Sequence, residues 1–362
     1  MVKVYSLPQV ALVSMVLSSG YVAADEEQAP APAAVAPAEE SAPEAKPAPV
    51  GINPTEGRPW LNPIPENRLY LGDLSVIRMN PIGLETQNRL MFQHRLKDTP
   101  EVLFADTFWA AGGSLKLNPA YFKVGPLVDY QPIALLNFRL GYEFIHYFGS
   151  FGYLQSKDDP HEAYSDTDLD AGDAAGEAYI TNGHHLFVEP TFQVKVKKVV
   201  VKSKFSLEKW NLDLNEGDTV FYDATLDTLV PNAGNGWIWA NDTDLLFLAK
   251  PKLVAGIRYT VVAPRYAEGL TVDADDVATA RPGYQPQDDA TLPTLDELED
   301  LNGHKRVGPM VAYSFHTRNY THFNKPTLLA VTGWYVDHNS RQGGAPYILI
   351  GFGFTSDLMD KK

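Results

Sequence analysis

Leu84-Glu-Thr-Gln-Asn-Arg-Leu-Met-Phe-Gln-His-Arg-Leu-Lys97 decides the fold. Its even positions are Leu84, Thr86, Asn88, Leu90, Phe92, His94 and Leu96, and its odd positions are Glu85, Gln87, Arg89, Met91, Gln93, Arg95 and Lys97. A period of two is the mark of a β-strand with one apolar and one polar face. The split recurs at 134–146, where Ala134, Leu136, Phe138, Leu140, Tyr142 and Phe144 oppose Asn137, Arg139 and Glu143. It recurs again at 186–197, where Leu186, Val188, Phe192, Val194 and Val196 oppose Glu189, Thr191, Gln193, Lys195 and Lys197.

Alternation alone also suits a soluble sandwich. Length separates the two, because sandwich strands run about five or six residues whereas tilted membrane strands sustain the pattern for about ten. Aromatic residues gather near segment ends, at Tyr147, Phe148 and Phe151, Trp210, Trp237 and Trp239, Trp334 and Tyr335, and Tyr347, as interfacial girdles require. With the closing segment Tyr347-Ile-Leu-Ile-Gly-Phe-Gly-Phe354 and no cysteine, the chain resembles the Gram-negative outer-membrane β-barrel class over residues 67–357, with no specific characterised family. The resemblance implies an all-β, antiparallel transmembrane barrel in the outer membrane, in contact with its lipid and lipopolysaccharide. One departure is the tail Thr355-Ser-Asp-Leu-Met-Asp-Lys-Lys362, which follows the last aromatic residue.

Parity sets the strand count. Pro100, Pro132, Pro251 and Pro326 each precede an apolar pair, and proline is tolerated at the first residue of a strand, so these mark tight turns at one end. Lys197-Lys198 is a fifth. The long polar segments at 149–183, 214–242 and 264–307 then fall at the other end, which in bacterial barrels is extracellular. Placing every long segment outside requires a strand at 67–79. Twelve strands result, over about 67–79, 84–97, 102–117, 119–130, 132–148, 184–196, 199–213, 243–250, 252–263, 308–318, 326–338 and 346–356, with ten as the fallback.

Lys3, the apolar run Val10–Leu17 and small residues at Val22-Ala23-Ala24 read as a secretory signal peptide over 1–24. Residues 25–66 form an Ala/Pro-rich periplasmic linker with little to bury, whose reach suits contact with the cell wall or a periplasmic partner. Residues 67–362 form the barrel. No apolar run reaches the roughly 18 residues of a spanning helix. The formal net charge of −15 argues against nucleic acid, which needs clustered cations, and zero cysteine removes disulfides and thiolate chemistry. A monomer is expected.

The charge is uneven. Eight acids and one lysine lie in 156–183, seven acids and no base in 211–244, and ten acids and four bases in 264–306, a net of −20. The remainder of residues 51–362 nets +9, so acid is expected outside and base inside the barrel. Candidate lumen-lining residues are Arg89, Arg95, Arg139, Glu143, Lys195, Lys250 and Arg258. A cationic lumen selects anions. Asp166, Asp168, Asp170 and Glu177 stand at positions 1, 3, 5 and 12 of a calcium-loop pattern, although Ala171 occupies the position that needs glycine. Calcium is thus the one cofactor the sequence raises. Thr294-Leu-Asp-Glu297 is a capping box before Leu298, Leu301 and Gly303, pointing to a short helix at 295–301. Asp337, His338 and Ser340 are the compact acid, histidine and serine group, but neighbours at a strand end rarely reach triad geometry, and no enzyme is expected. The expected function is a small passive channel for polar or anionic solutes. The alternative is a non-conducting structural or surface-interaction barrel with acidic, calcium-binding loops.

Overall fold

A computed structural model describes residues 64–359 apart from 100, 102, 268, 269, 271–301 and 342. The expected signal peptide, most of the linker and the expected helix at 295–301 lie outside the described residues.

Twelve antiparallel strands close into a barrel. In chain order they are β1 (Asn67–Met79), β2 (Gly83–Arg95), β3 (Phe108–Asn118), β4 (Tyr121–Ile133), β5 (Leu136–Phe148), β7 (Ile180–Val196), β8 (Val199–Leu212), β11 (Gly236–Lys250), β12 (Leu253–Tyr266), β13 (His304–Ser314), β14 (Asn324–Asp337) and β15 (Pro346–Asp357). Each pairs with its neighbour in order, and β1 pairs with β15 from Tyr70 opposite Asp357 to Met79 opposite Ile348. The outer face carries exposed Leu84, Leu90, Phe138, Leu140, Phe247 and Ile350 among many others. In water such a belt is untenable, so it faces lipid, and the molecule is an outer-membrane β-barrel.

The expected parity is the observed one. The links at 149–179 and 213–235 and the strand ends Tyr266 and His304 share the extracellular end, and Asn67 and Asp357 lie at the periplasmic end. Several boundaries move. Pro132 and Pro326 do not open strands: both sit inside them, where the ladder slips between Tyr130 and Ile133 and between Asn324 and Thr327. A residue without an N–H is tolerated there because the bulge leaves one backbone group unpaired. β3 starts at Phe108 instead of 102, because Phe104 and Ala105 turn back onto the Glu101 carbonyl at 2.9 Å. β11 starts at Gly236 instead of 243, so Trp237 and Trp239 belong to the wall. β13 spans 304–314 instead of 308–318, because Phe315 leaves the sheet to bond the Pro326 carbonyl.

Between β5 and β11 the long links build a second layer. β6 (Ser156–Lys157), β9 (Val220–Asp223) and β10 (Thr228–Pro231) form a three-stranded sheet, and α1 spans Asp166–Ala175. Val220, Phe221, Leu229 and Val230 are fully buried, and Phe221 and Val230 pack with Tyr147, Trp210, Ile238 and Val262 of the barrel wall. The links therefore fold inward as a cap with its own core, and are not a solvated acidic fringe.

Candidate functional site: the capped lumen

Alternation sends every second residue inward, and the register decides which inward charges meet. Asp129 of β4 lies opposite Arg139 of β5, and Arg139 opposite Glu189 of β7. The Arg139 guanidinium grips Asp129 at 2.7 and 3.1 Å and reaches Glu189 at 3.5 Å, while Lys204 donates to Glu189 at 3.2 Å. Across the lumen Lys202, Asp244 and Arg258 stand in one row and Lys204, Asp242, Thr260 and Arg306 in the next. Arg258 holds Asp244 at 2.7 and 2.9 Å and Asp242 at 3.7 Å. His185 bridges two carboxylates, with Nδ1 3.2 Å from Glu143 and Nε2 3.0 Å from Glu208, and its ring stacks on Trp210 at 3.8 Å. Lys116 completes this group at 2.9 Å from Glu143.

These side chains surround a cavity of about 290 Å³ and, beside it, one of about 200 Å³. Below them the walls turn apolar. Tyr70, Met91, Phe108, Leu127 and Phe187 cluster with Ile64 on one side, and Val200, Leu246, Met310, Leu329 and Val331 on the other.

Of the sequence candidates, the structure brings Arg89, Arg139, Glu143 and Arg258 together around the larger cavity. Arg95, Lys195 and Lys250 lie toward the periplasmic strand ends and do not line it: Arg95 pairs with Asp98 at 3.3 Å and Lys250 is exposed. The expected separation of acid outside from base inside is overturned. Asp242 and Asp244 belong to β11 and face inward, and Asp223 is delivered into the lumen by the cap, so carboxylates answer most of the cations. Arg306, counted with an extracellular segment, is a wall residue. Its signal was present, since His304, Arg306, Gly308, Met310 and Ala312 continue the inward parity, but the strand start at 308 cut the series short.

The calcium-loop segment folds differently from expectation. Residues 166–175 are helical, with Ser165 as N-cap and a capping box to Asp168. Asp166 is held by Arg341 at 2.9 and 3.1 Å, and Glu177 by Lys157 at 2.9 Å. A helix spreads residues 1, 3 and 5 around its axis, and among the described residues no group of three or more potential ligands converges. The Asp337, His338 and Ser340 group is also dispersed. Asp337 pairs with Lys305, and His338 turns to Asp227 while its Nδ1 accepts from the Ser340 amide at 3.0 Å.

Asp227 is the hub that fastens the cap. Fully buried at the β9–β10 turn, it accepts hydrogen bonds from Tyr222 at 2.8 Å, from Tyr335 of β14 and from Arg341 at 2.8 and 3.0 Å, and lies 3.2 Å from His338 Nε2. Burial raises its pKa, but His338 and Arg341 outweigh burial and hold the carboxyl well below the usual aspartate range. On the opposite side Asn232 clamps the β8 backbone at Leu212 through 2.7 and 3.0 Å bonds. Arg78 donates to the Ala224 carbonyl at 3.0 Å. Sequence reading missed this hub because it joins residues 108 positions apart at Tyr335.

No family model and no curated protein matches the chain. Among solved structures it is similar to the NanC porin, at 9% identity over 80% of this chain and 100% of that one, with a TM-score of 0.34. The KdgM porin in complex with disordered oligogalacturonate gives 6%, 80%, 99% and 0.33. The β domain of the Bordetella autotransporter BrkA gives 11%, 81%, 98% and 0.35.

Proposed function

We propose that this barrel is a small passive channel for polar solutes, with a preference for anions, whose extracellular mouth is governed by the folded cap. The observation that carries the reading is the chamber of about 290 Å³ inside a closed barrel, bordered by charged side chains between the ion-pair rows and the cap residues Asp223, Thr225 and Leu226. A barrel of this size falls between packed eight-stranded barrels and open sixteen-stranded ones, so side chains narrow the passage without filling it. The anion preference is supported by Lys202 and Arg306. Neither has a carboxylate within ion-pair distance among the described residues, whereas Arg139 and Arg258 are each neutralised by two. The test is single-channel recording of the refolded full chain and of a variant with Asn215–Asn232 replaced by a short Gly-Ser link. Current from either supports the channel. Absence of current from both removes it.

A second reading, a non-conducting barrel that presents its cap to a partner, is favoured by the cap's own buried core. It predicts silence from both proteins in the same recording.

A further inference from the structure

The smaller cavity has a lining that the ion-pair rows do not explain. It lies between Thr225 of the cap and the wall formed by β11 to β15, β1 and β2, and Asp242 and Glu85 are the carboxylates of its lining. Three guanidinium groups border its upper part. Arg78 is spent on the Ala224 carbonyl at 3.0 Å and on Thr225, and Arg258 on Asp244. Among the described residues Arg306 donates to no acceptor. Its guanidinium carbon lies 4.4 Å over the Tyr347 ring and 5.7 Å from that of Tyr335, and its buried Nε has no hydrogen-bond partner.

Stacking on an aromatic face satisfies the plane of a guanidinium and leaves its in-plane N–H groups free. Those groups form a fork whose geometry matches a carboxylate's two oxygens. Both carboxylates of the lining are already engaged: Asp242 accepts from Thr260 at 2.6 Å and faces Arg258 at 3.7 Å, and Glu85 accepts from Tyr121 at 2.5 Å and from Gln87 at 2.6 Å. One strand-turn below Arg306 the lining changes character. Leu74, Val76, Leu329, Val331 and Leu349 make an apolar floor. A fixed cation above an apolar slot selects a ligand that has both features.

Resting on the channel reading, we propose that the lumen holds a binding site for a short amphipathic monocarboxylate, its head on Arg306 and its chain on the Leu329–Val331 floor. At about 200 Å³ the slot is smaller than the roughly 300 Å³ at which sites for drug-sized ligands begin, so the ligand is a short-chain acid and not a long-chain lipid. A free inorganic anion would leave the apolar floor uncovered.

The experiment uses the full chain in lipid nanodiscs, with saturation-transfer NMR of hexanoate, acetate and hexan-1-ol as three separate probes. Hexanoate is expected to bind saturably. Arg306→Gln is expected to weaken it at least tenfold and Arg306→Lys to restore part of the loss, because lysine keeps the charge and loses the fork. Val331→Thr, which preserves shape, is expected to weaken hexanoate and leave acetate unchanged. Equal hexanoate binding by wild type and Arg306→Gln overturns the site, as does acetate binding as tightly as hexanoate. Hexan-1-ol binding as tightly as hexanoate overturns the role given to the head group. Since none of these readouts needs current, Arg306-dependent binding in a silent barrel overturns the channel and keeps the site, and current without hexanoate binding does the reverse.

Discussion

Asp227→Asn is the most direct probe of the cap. The side chain is 1% exposed and carries the buried negative charge that Arg341 and His338 both face, at 2.8 and 3.2 Å, while Arg341 also reaches the exposed carboxylate of Asp166 at 2.9 Å. Asparagine keeps the shape and one acceptor oxygen, so the cost arises from leaving the Arg341 guanidinium with only the exposed Asp166 as counter-charge. Breaking a buried pair by removing one partner costs about 3–5 kcal/mol, and the retained oxygen puts this case near the lower figure. At about 1.4 kcal/mol per tenfold, the ratio of docked to undocked cap falls by roughly a hundredfold. β9 and β10 are not wall strands, so the barrel is expected to keep its heat-modifiable migration on a gel. The assay pairs amide hydrogen exchange over residues 219–232 with single-channel recording, and exchange there should accelerate by a similar factor as open time rises. Unchanged exchange in a folded Asp227→Asn barrel would show that the clasp does not hold the cap. The pH dependence has a defined sign. Because the folded pKa is depressed, the carboxylate's contribution is complete above the unfolded value of about 3.9 and is lost as pH falls through the folded one. Protonating Asp227 therefore releases the cap only below about pH 4.

Other expectations follow from the same geometry. Asp106, in the periplasmic turn before β3, is pushed up to about 7 by burial, so its neutral form is stabilising up to an unfolded value of about 3.9 and the advantage fades as pH rises through about 7. A ¹³C-aspartate NMR titration should show that midpoint, and Asp106→Asn should abolish it; a midpoint near 4 refutes the burial. Arg139→Gln, which strands Asp129 and leaves Glu189 to Lys204 alone, should cost about 3 kcal/mol in urea unfolding, while Lys305→Gln, at an exposed pair, should cost under about 1 kcal/mol; equal costs would mean the lumen pairs are solvated like the rim. At Gly308 a Cβ would sit 1.9 Å from the Thr332 carbonyl oxygen, so Gly308→Ala should block β13–β14 closure and heat-modifiable folding, whereas Gly113→Ala, with its nearest atom at 3.7 Å, should fold normally.

Alternation and parity made the wall legible in the sequence, because a membrane strand writes its two environments into every second residue. Leu84 and Glu85 already tell which face meets lipid. The chamber was half legible. Arg139 and Arg258 could be assigned to the inner face, but their partners could not, since Asp129 and Asp244 are chosen by register across strands and not by spacing along one. The cap was not legible at all. Val220-Phe221-Tyr222 is a short apolar run between acids, and only the barrel mouth into which it folds explains its burial. The acidic count misled for the same reason: it treated Asp223 and Asp227 as charge facing water, when each is buried beside a cation.

The seam between β1 and β15 carries a consequence for how the molecule is made. The first wall strand finds its outer partner only in the last, nearly three hundred residues later, where Arg68 meets Asp357 and Asn324 steadies the same carboxylate at 2.9 Å. Until that strand is present the sheet has two unsatisfied edges in a solvent that offers them no hydrogen bonds. A chain cut short before Pro346 is left with an open sheet that the hydrocarbon core cannot accommodate, so β15 acts as a check that the whole wall has been made.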